Sequence, residues 1–220
     1  PALCLTSSAT AATIFIDFTS AGSSTGAVNT LQSSDTTVRS LNDSTNTPSG
    51  ISIQTLATPT GGGASGAPGP ISGDALAAGI TAGPASTYHF GGNGVTTSYS
   101  FTGLTPDTVN YIFTVFGSRN AGDVRTTEYT LTNGITPETV GLQASGYGIG
   151  VGNNSEVAVF DPIVSTAGGT LTFSFVEDGN ASNRFSYLNE IRIDTMAIPE
   201  PSSTALIGLG VLALISRRRR

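Results

Sequence analysis

Short runs in which apolar and polar residues alternate dominate this chain, and they predict β-strands. Val95, Thr97, Tyr99 and Phe101 alternate with hydroxyl residues, which is the period of a half-buried strand. The run 111–116 is apolar on both faces and predicts a central strand. Asn133-Gly134 predicts a tight hairpin turn. The same reasoning predicts further strands at 14–18, 51–56, 126–132, 140–143, 157–160, 171–176 and 187–193, with a weaker one at 37–41.

Many short strands with turn signals between them predict an all-β fold, an antiparallel jelly-roll-like β-sandwich over residues 12–196. Two smaller sandwiches are the alternative organisation. The Gly- and Pro-rich stretch 57–73 predicts a long loop, either a mobile surface loop or a lid over a site. Residues 74–80 predict one short helical turn, and no run of ten or more residues in the body has helical periodicity.

The C-terminal segment has a different pattern. An apolar stretch over 202–216 is followed directly by Arg217, Arg218, Arg219 and Arg220. As a helix, its 15 residues span about 22 Å, which is short against a bilayer core of about 30 Å. Arginine side chains can reach the lipid headgroups and stay on the cytoplasmic side. The pattern predicts a single short transmembrane helix with the C-terminus in the cytoplasm and the body outside.

The order of Pro199-Glu200-Pro201, a short apolar helix and a terminal arginine cluster resembles the PEP-CTERM sorting signal of Gram-negative bacteria. This resemblance implies export, transient anchoring in membrane lipid, and recognition of the Pro-Glu-Pro motif by the membrane protease-transpeptidase exosortase, with cleavage near it. It also implies a place at the cell surface or in the exopolysaccharide matrix of a biofilm.

The first eleven residues resemble the end of a secretory signal peptide. Pro1 to Leu5 are largely apolar, and Ala9-Thr10-Ala11 has the pattern of a cleavage site. We therefore expect residues 1–11 to be a signal remnant and the mature protein to begin near Ala12. Since Cys4 is the only cysteine, the mature body is expected to be stabilised without disulfides.

The charged residues of this chain argue against nucleic acid as a partner. Taking the four tail arginines from the nine basic residues leaves five, against fifteen acidic residues. An exported part with a net charge near −10 does not attract nucleic acid. Many Thr, Val, Ile, Tyr and Phe residues with few charges favour strands over helices.

A second resemblance lies in the body. Phe116-Gly117-Ser118-Arg119, then Asp123, Arg125 and Tyr129, and finally Tyr187 to Ile191 are similar to galactose-binding or malectin-like extracellular β-sandwich modules. This resemblance implies a jelly roll with sugar binding. We therefore predict a carbohydrate-binding protein whose candidate ligand-binding residues include Arg119, Asp123 and Arg125. Tyr147 is a further candidate, because glycines alternate with larger residues over 146–152 and leave a bare backbone face for a ligand or another strand; a flexible loop is the alternative. An arginine can hold a sugar hydroxyl or a uronate with two hydrogen bonds, and the alternative is a partly exposed salt-bridge network.

The residues favour a non-enzymatic protein. His89 is the only histidine, no Gly-x-Ser-x-Gly motif is present, and His89 reads as a partly exposed ring at a strand end. One histidine and no mature cysteine argue against a zinc site, because zinc sites need several such ligands. The alternative is a glycosidase-like enzyme that uses paired carboxylates. Its candidates are Glu128, Glu177, Asp178 and Glu190.

We predict no cofactor, except for a structural Ca²⁺ ion as an open alternative. Calcium needs six to eight oxygen ligands. Asp17 and Glu190 lie on the first and last predicted strands, and a second oxygen-rich stretch contains Asn153, Asn154, Glu156 and Asp161. No complete EF-hand spacing occurs in the sequence.

Overall fold

The computed structural model describes residues 12–20, 28–66, 69–148, 151–179 and 184–198. Within these residues the chain is almost entirely β-structure, with two very short helices, and it forms a β-sandwich as predicted. The signal remnant 1–11, the Pro199-Glu200-Pro201 motif, the predicted membrane helix 202–216 and Arg217–Arg220 lie outside the described residues. No helix in the described part is both long and apolar enough to cross a bilayer.

Two sheets form the sandwich. The five-stranded sheet has the strand order β11 (Ala158–Val159), β8 (Val109–Phe116), β14 (Glu190–Ala197), β1 (Thr13–Thr19) and β2 (Asn29–Gln32). The six-stranded sheet has the order β10 (Pro137–Ser145), β9 (Arg125–Thr132), β12 (Leu171–Glu177), β7 (Thr97–Thr102), β4 (Pro48–Ala57) and β3 (Arg39–Asn42). A third, small sheet contains β13 (Phe185–Leu188), β6 (Tyr88–Gly92) and β5 (Gly61–Gly63).

The core lies between the two large sheets and follows from the alternating pattern. Ile14, Ile16 and Phe18 of β1 are fully buried, whereas the residues between them include the half-buried Phe15. Phe113 of β8 meets Phe101 of β7 across the sandwich, with ring centroids 5.2 Å apart in an edge-to-face arrangement. Both sheets contribute to one continuous cluster of buried residues, which is the main core of the sandwich.

The run 187–193 forms two strands rather than the single strand that its pattern predicts. β13 ends at Leu188, β14 begins at Glu190, and Asn189 lies between two different sheets. The buried Asn189 side chain satisfies backbone groups at this junction. Its Oδ1 accepts a hydrogen bond from the N–H of Ser118 at 2.6 Å, and its Nδ2 donates to the carbonyl of Ala85 at 2.8 Å.

Two strands occur where the sequence predicts none. β5 lies inside the predicted loop 57–73, and β2 lies inside a polar stretch. β2 also pairs with β1 in parallel, so the five-stranded sheet is not antiparallel throughout. Hydrophobic alternation does not reveal either strand, because β5 is three glycines and β2 has only one apolar side chain, Leu31.

The prediction that His89 is a partly exposed ring is wrong, because the structure buries it completely. Its Nε2 donates to the carbonyl of Thr19 at 3.0 Å, and its Nδ1 lies 2.8 Å from the hydroxyl of Tyr99. Burial lowers the pKa of His89 to about 4, so the ring is neutral at pH 7. The side chain alternates in β6 with Tyr88 and Phe90, and this places it towards the core, edge-on to Phe18.

The outer face of the five-stranded sheet is covered by the segment that contains α1 (Gly73–Ala77) and α2 (Ala82–Ala85). Ala75, Ile80 and Ala85 of this segment pack against Phe116 in a second small cluster. Arg192 fixes the segment further, because its Nη1 donates to the carbonyl of Ala78 at 2.7 Å.

Candidate ligand-binding face

The small third sheet carries four aromatic side chains on one side. Tyr88 and Phe90 alternate in β6, Phe185 and Tyr187 alternate in β13, and Tyr187 pairs with Phe90 in the register. The rings meet edge to face, with centroids 5.3 Å apart for Tyr88 and Tyr187 and 6.1 Å apart for Phe90 and Phe185. These four residues are called the aromatic face below. Phe90 and Phe185 are half-buried and remain accessible at its surface.

The glycines of β5 allow the rings to lie across the strand. A Cβ atom added at Gly63 would lie 2.5 Å from Cζ of Tyr88, and one added at Gly61 would lie 3.0 Å from Cε1 of Phe90. Both distances are shorter than a normal carbon contact. The aromatic face therefore needs glycine at these positions.

The aromatic face is held firmly to the sandwich through Tyr187. The hydroxyl of Tyr129 donates to the carbonyl of Tyr187 at 2.5 Å, and the N–H of Tyr187 donates to Oγ1 of Thr127 at 2.9 Å. Tyr129 and Thr127 belong to β9 of the six-stranded sheet and are fully buried. The face thus rests on rigid strands, which favours a preformed site.

Arg125 lies over the aromatic face with its charge already paired. Its Cζ is 5.1 Å from the ring centroid of Phe185 and 5.7 Å from that of Tyr187, within the range of cation–π contact. Asp123 accepts hydrogen bonds from Nε at 2.6 Å and from Nη2 at 3.0 Å, and Nη1 donates to the hydroxyl of Tyr187. Arg125 is therefore oriented mainly by the protein itself.

Arg119 lies at the other end of the face and has no such partner. Its Cζ is 5.3 Å from the ring centroid of Tyr88, and its Nη1 donates a long hydrogen bond of 3.3 Å to the carbonyl of Ser65. Within the part of the chain that the structure describes, no carboxylate forms a salt bridge with Arg119. Among the described residues its other N–H groups make no hydrogen bond, and they can donate to a ligand oxygen.

Three of the four sequence-predicted ligand-binding residues, Arg119, Asp123 and Arg125, come together at this face, whereas Tyr147 is engaged elsewhere. The Tyr147 hydroxyl is bonded to Oε2 of Glu156 at 2.8 Å and to the carbonyl of Gln143. The four residues of the aromatic face are not among the predicted ligand-binding residues. The available signal is the period-two spacing of aromatic residues in the two short runs 88–90 and 185–187.

The structure does not gather the carboxylates predicted for a glycosidase. Glu128 is exposed on β9, and Oε2 of Glu177 accepts the N–H of Gly94 at 2.8 Å. Asp178 comes directly after β12, a strand of the six-stranded sheet. Glu190 is in the five-stranded sheet, where it pairs in register with Asp17.

Asp17 and Glu190 form a separate acidic site against the outer face of that sheet. They are 1% and 2% exposed. Oδ1 of Asp17 accepts the hydroxyl of Thr87 at 2.9 Å. Burial raises the pKa of Glu190 to about 8, and the neighbouring Asp17 adds to this effect. Glu190 is therefore largely protonated at pH 7.

The predicted calcium ligands do not assemble into a cluster. Asp17 and Glu190 lie side by side, but no three His, Cys or acidic side chains of the described residues converge on a common point. In the second predicted stretch, Oδ1 of Asn153 accepts the N–H groups of Ser155 and Glu156 and so caps a turn. Asp161 donates its backbone N–H to Glu138.

Residues 197–220 match the PEP-CTERM protein-sorting motif. This motif implies an exported protein with C-terminal membrane anchoring and processing by exosortase, a membrane protease. The match covers the tail and leaves the β-sandwich outside it. Comparison with curated proteins finds no match to the chain.

Solved structures similar to this chain include plant receptor domains and a carbohydrate-binding module. The extracellular domain of ANXUR1 from Arabidopsis thaliana is 16% identical over 66% of this chain and 38% of its own, with a TM-score of 0.45. The plant receptor-like kinase ANX2 is 10% identical over 85% and 54%, with a TM-score of 0.48. TmCBM61, solved with β-1,4-galactotriose, is 8% identical over 66% and 88%, with a TM-score of 0.33. The matched region thus spans well under two thirds of either receptor chain.

Proposed function

We propose that this protein is a non-enzymatic, carbohydrate-binding component of the cell surface or exopolysaccharide matrix. Exosortase sorts and cleaves it at its C-terminal motif. Before processing, the apolar segment 202–216 holds it in the inner membrane with Arg217–Arg220 in the cytoplasm and the sandwich outside. After processing, the sandwich is at the surface or released. The ligand-binding site is the aromatic face with its two arginines.

The observation that carries the binding proposal is the combination of aromatic rings with an arginine that forms no salt bridge in the described part of the chain. Sugar rings present apolar C–H surfaces, which pack on aromatic side chains, and hydroxyl or carboxylate oxygens, which accept hydrogen bonds. Phe90 and Phe185 offer the accessible apolar surface, and Arg119 offers N–H donors that make no other hydrogen bond with the described residues. A few polar groups placed on a largely apolar, preformed surface are typical of small-ligand sites.

A glycan array followed by calorimetry tests this proposal. The full chain is expected to bind at least one polysaccharide, and Arg119→Ala should weaken binding by roughly tenfold because a charge-assisted hydrogen bond contributes about 1.5 kcal/mol or more. Phe185→Ala should weaken it as well. The matched control is Ile135→Ala, which removes an 80% exposed apolar side chain from the turn between β9 and β10.

Two outcomes would reject the binding site. One is the absence of binding to any glycan, and the other is unchanged affinity in both Arg119→Ala and Phe185→Ala. An equal loss of affinity in Ile135→Ala would show that the assay reports non-specific binding to the protein surface.

A second experiment tests sorting. Glu200→Ala, or deletion of Arg217–Arg220, should leave protein of unprocessed mass in the membrane fraction, because the protease motif or the cytoplasmic stop is lost. Arg184→Ala is the control, since it removes an exposed arginine from the sandwich and leaves the tail unchanged. Normal processing of both tail variants would refute the proposed role of the tail.

The alternative function is a polysaccharide-active enzyme. A specific observation favours testing it, because a buried carboxyl with a raised pKa beside a second carboxylate is the ionisation pattern of a general acid. Glycosidic activity in the full chain that is lost in Glu190→Gln would support the enzyme. Activity that survives this change and alanine changes at Glu128, Glu177 and Asp178 would exclude these carboxylates.

A further inference from the structure

The C-terminal tail leaves the sandwich at one defined end. Ile198 follows β14, and its N–H donates to the carbonyl of Thr108 at 2.9 Å, directly before β8 begins. The residue before the Pro199-Glu200-Pro201 motif is therefore fixed to the body. The linker to the apolar segment 202–216 starts only after Ile198.

Loops that join successive strands form this end, and hydrogen bonds connect them. The N–H of Leu104 donates to the carbonyl of Gly169 at 3.1 Å, and Nδ2 of Asn133 donates to the carbonyl of Val164 at 3.3 Å. We call this set the tail-side end. It consists of Ile198 and the loops 103–108, 133–136 and 164–170.

The aromatic face lies at the opposite end of the sandwich. β7 begins directly after Thr96, close to the end of β6, and leads into loop 103–108. β12 runs the other way, from loop 164–170 to Glu177, whose Oε2 accepts the N–H of Gly94 beside β6. These two strands have six and seven residues. At about 3.3 Å per residue, the two ends are about 20 Å or more apart.

The linker is too short to hold the sandwich away from a membrane. Four Cα–Cα steps join Ile198 to Ser202, and they reach at most about 14 Å. The headgroup layer on each side of a bilayer is about 5–8 Å thick. When 202–216 lies in the bilayer, even a fully extended linker keeps Ile198 within about 9 Å of the headgroups. This gap is narrower than the diameter of one helix.

The chemistry of the tail-side end suits uncharged lipid headgroups. Its loops contain several threonines, whose hydroxyl groups can bond to phosphate oxygens, and their only charged residue is Asp107. They contain no Lys or Arg, the residues that attract anionic lipid. Ile135 in the β9–β10 turn is 80% exposed, so it can contact the apolar boundary below the headgroups.

We propose that the tail-side end rests on the zwitterionic headgroups of the membrane that holds the tail, and that this contact directs the aromatic face away from the bilayer. The anchored protein then presents the aromatic face to the surrounding polysaccharide and not to the lipid. This inference rests on the membrane anchoring in the proposed function, but not on the identity of the glycan.

Fluorescence quenching in vesicles tests the proposal. The full chain would carry Cys4→Ser, which removes its only cysteine, and either Ala167→Cys at the tail-side end or Thr96→Cys near the aromatic face. Both positions are exposed, so a fluorophore can be attached without disturbing the core. The vesicles would contain phosphatidylcholine and phosphatidylethanolamine, with a headgroup nitroxide lipid in both leaflets.

The label in the Ala167→Cys variant should be quenched at least about twofold more strongly than the label in the Thr96→Cys variant, because the two positions are about one strand length apart. Adding phosphatidylglycerol should not increase the quenching, since the loops have no basic residue. Quenching of Ala167→Cys that requires phosphatidylglycerol would contradict the proposed contact with zwitterionic headgroups.

A longer linker is the matched control. A Gly/Ser insert of about twelve residues between Ile198 and Pro199 has a root-mean-square length of about 20 Å. It should reduce the quenching of the Ala167→Cys label towards that of the Thr96→Cys label, while the chain stays bound to the vesicles. Equal quenching with the short and the long linker would contradict positioning by the linker.

Vesicle flotation separates failure of this inference from failure of the proposed function. If the chain does not float with the vesicles, the membrane anchoring and this inference are both overturned. If the chain floats but the two labels are quenched equally, or the Thr96→Cys label is quenched more strongly, only this inference is overturned.

Discussion

The aromatic face and the acidic pair formed by Asp17 and Glu190 both remove ionisable side chains from water, but the two places compensate this burial differently. At the aromatic face, Arg125 has a bidentate partner in Asp123 and a third hydrogen bond to Tyr187. In the acidic pair, Glu190 has a second acid beside it. The first arrangement joins opposite charges, whereas the second depends on the proton that Glu190 holds at pH 7. An oppositely charged neighbour therefore fixes a side chain in place, whereas a neighbour of the same charge makes its ionisation depend on pH.

The largest expected effect is the pH dependence that Glu190 gives to stability. Its folded-state pKa of about 8 lies above the ordinary glutamate value of 4.5, so between these two pH values the folded protein holds a proton that the unfolded chain has lost. The stabilisation is complete below about pH 4.5 and is lost as pH rises to about 8. The slope reaches at most about 1.4 kcal/mol per pH unit.

Chemical denaturation at a series of pH values measures this effect. Glu190→Gln should flatten the decline of the unfolding free energy between pH 5 and pH 8, because glutamine does not titrate. A decline of the same size in the variant would contradict the assignment to Glu190. Asp74→Asn is the control, since it removes an acid from the first turn of α1.

The next largest effect concerns the glycines under the aromatic face. Gly63→Ala should lower the unfolding free energy by roughly 1–3 kcal/mol, because the new methyl group overlaps the buried ring of Tyr88. Gly122→Ala is the control, since a Cβ there meets no atom within 4 Å. Equal stability of the two variants in urea would show that β5 does not support the rings as described.

A smaller effect is expected at the compensated arginine. Asp123→Asn should cost about 1–2 kcal/mol of unfolding free energy, because it weakens two charge-assisted hydrogen bonds in a partly buried place. Asp35→Asn is the comparison, since its partner Arg39 is half exposed and such pairs contribute about 0–1 kcal/mol. A larger loss from Asp35→Asn would reverse the proposed ranking of the two pairs.

The smallest effect on stability is expected at Arg119. Arg119→Ala should lower the unfolding free energy by at most about 1 kcal/mol, because the side chain has one long hydrogen bond, a cation–π contact with Tyr88 and no ion pair in the described structure. The same variant should weaken glycan binding. Thermal unfolding measured beside calorimetry would separate the two. A large loss of stability would make Arg119 a structural residue rather than a ligand contact.

Most of the sandwich is predictable from the sequence, because one face of each strand is buried and the side-chain period is two. Leu171, Phe173 and Phe175 show this clearly, since all three are buried in β12 as their alternation predicts. β5 is not predictable in this way, because a strand of three glycines has no side-chain pattern. The division of the run 187–193 at Asn189 depends on contacts with distant backbone groups.

The candidate site was only partly predictable for a similar reason. Arg119, Asp123 and Arg125 are close in sequence, so their proximity could be expected. The aromatic face instead requires the register between β6 and β13, in which Ser186 and Gly91 are 95 residues apart. Pairing over such a separation is a property of the whole sheet. Alternation in the sequence predicts where the strands lie, but it does not predict which strands pair with each other.

The central claim is that glycan binds at the aromatic face, and nuclear magnetic resonance titration tests it most directly. The isotope-labelled full chain would be titrated with the polysaccharide selected by the array. If glycan binds there, the amide chemical shifts should change mainly in residues 61–63, 88–92 and 185–187 and at Arg119. Changes confined to other surfaces, such as the turn at 133–136, would contradict it.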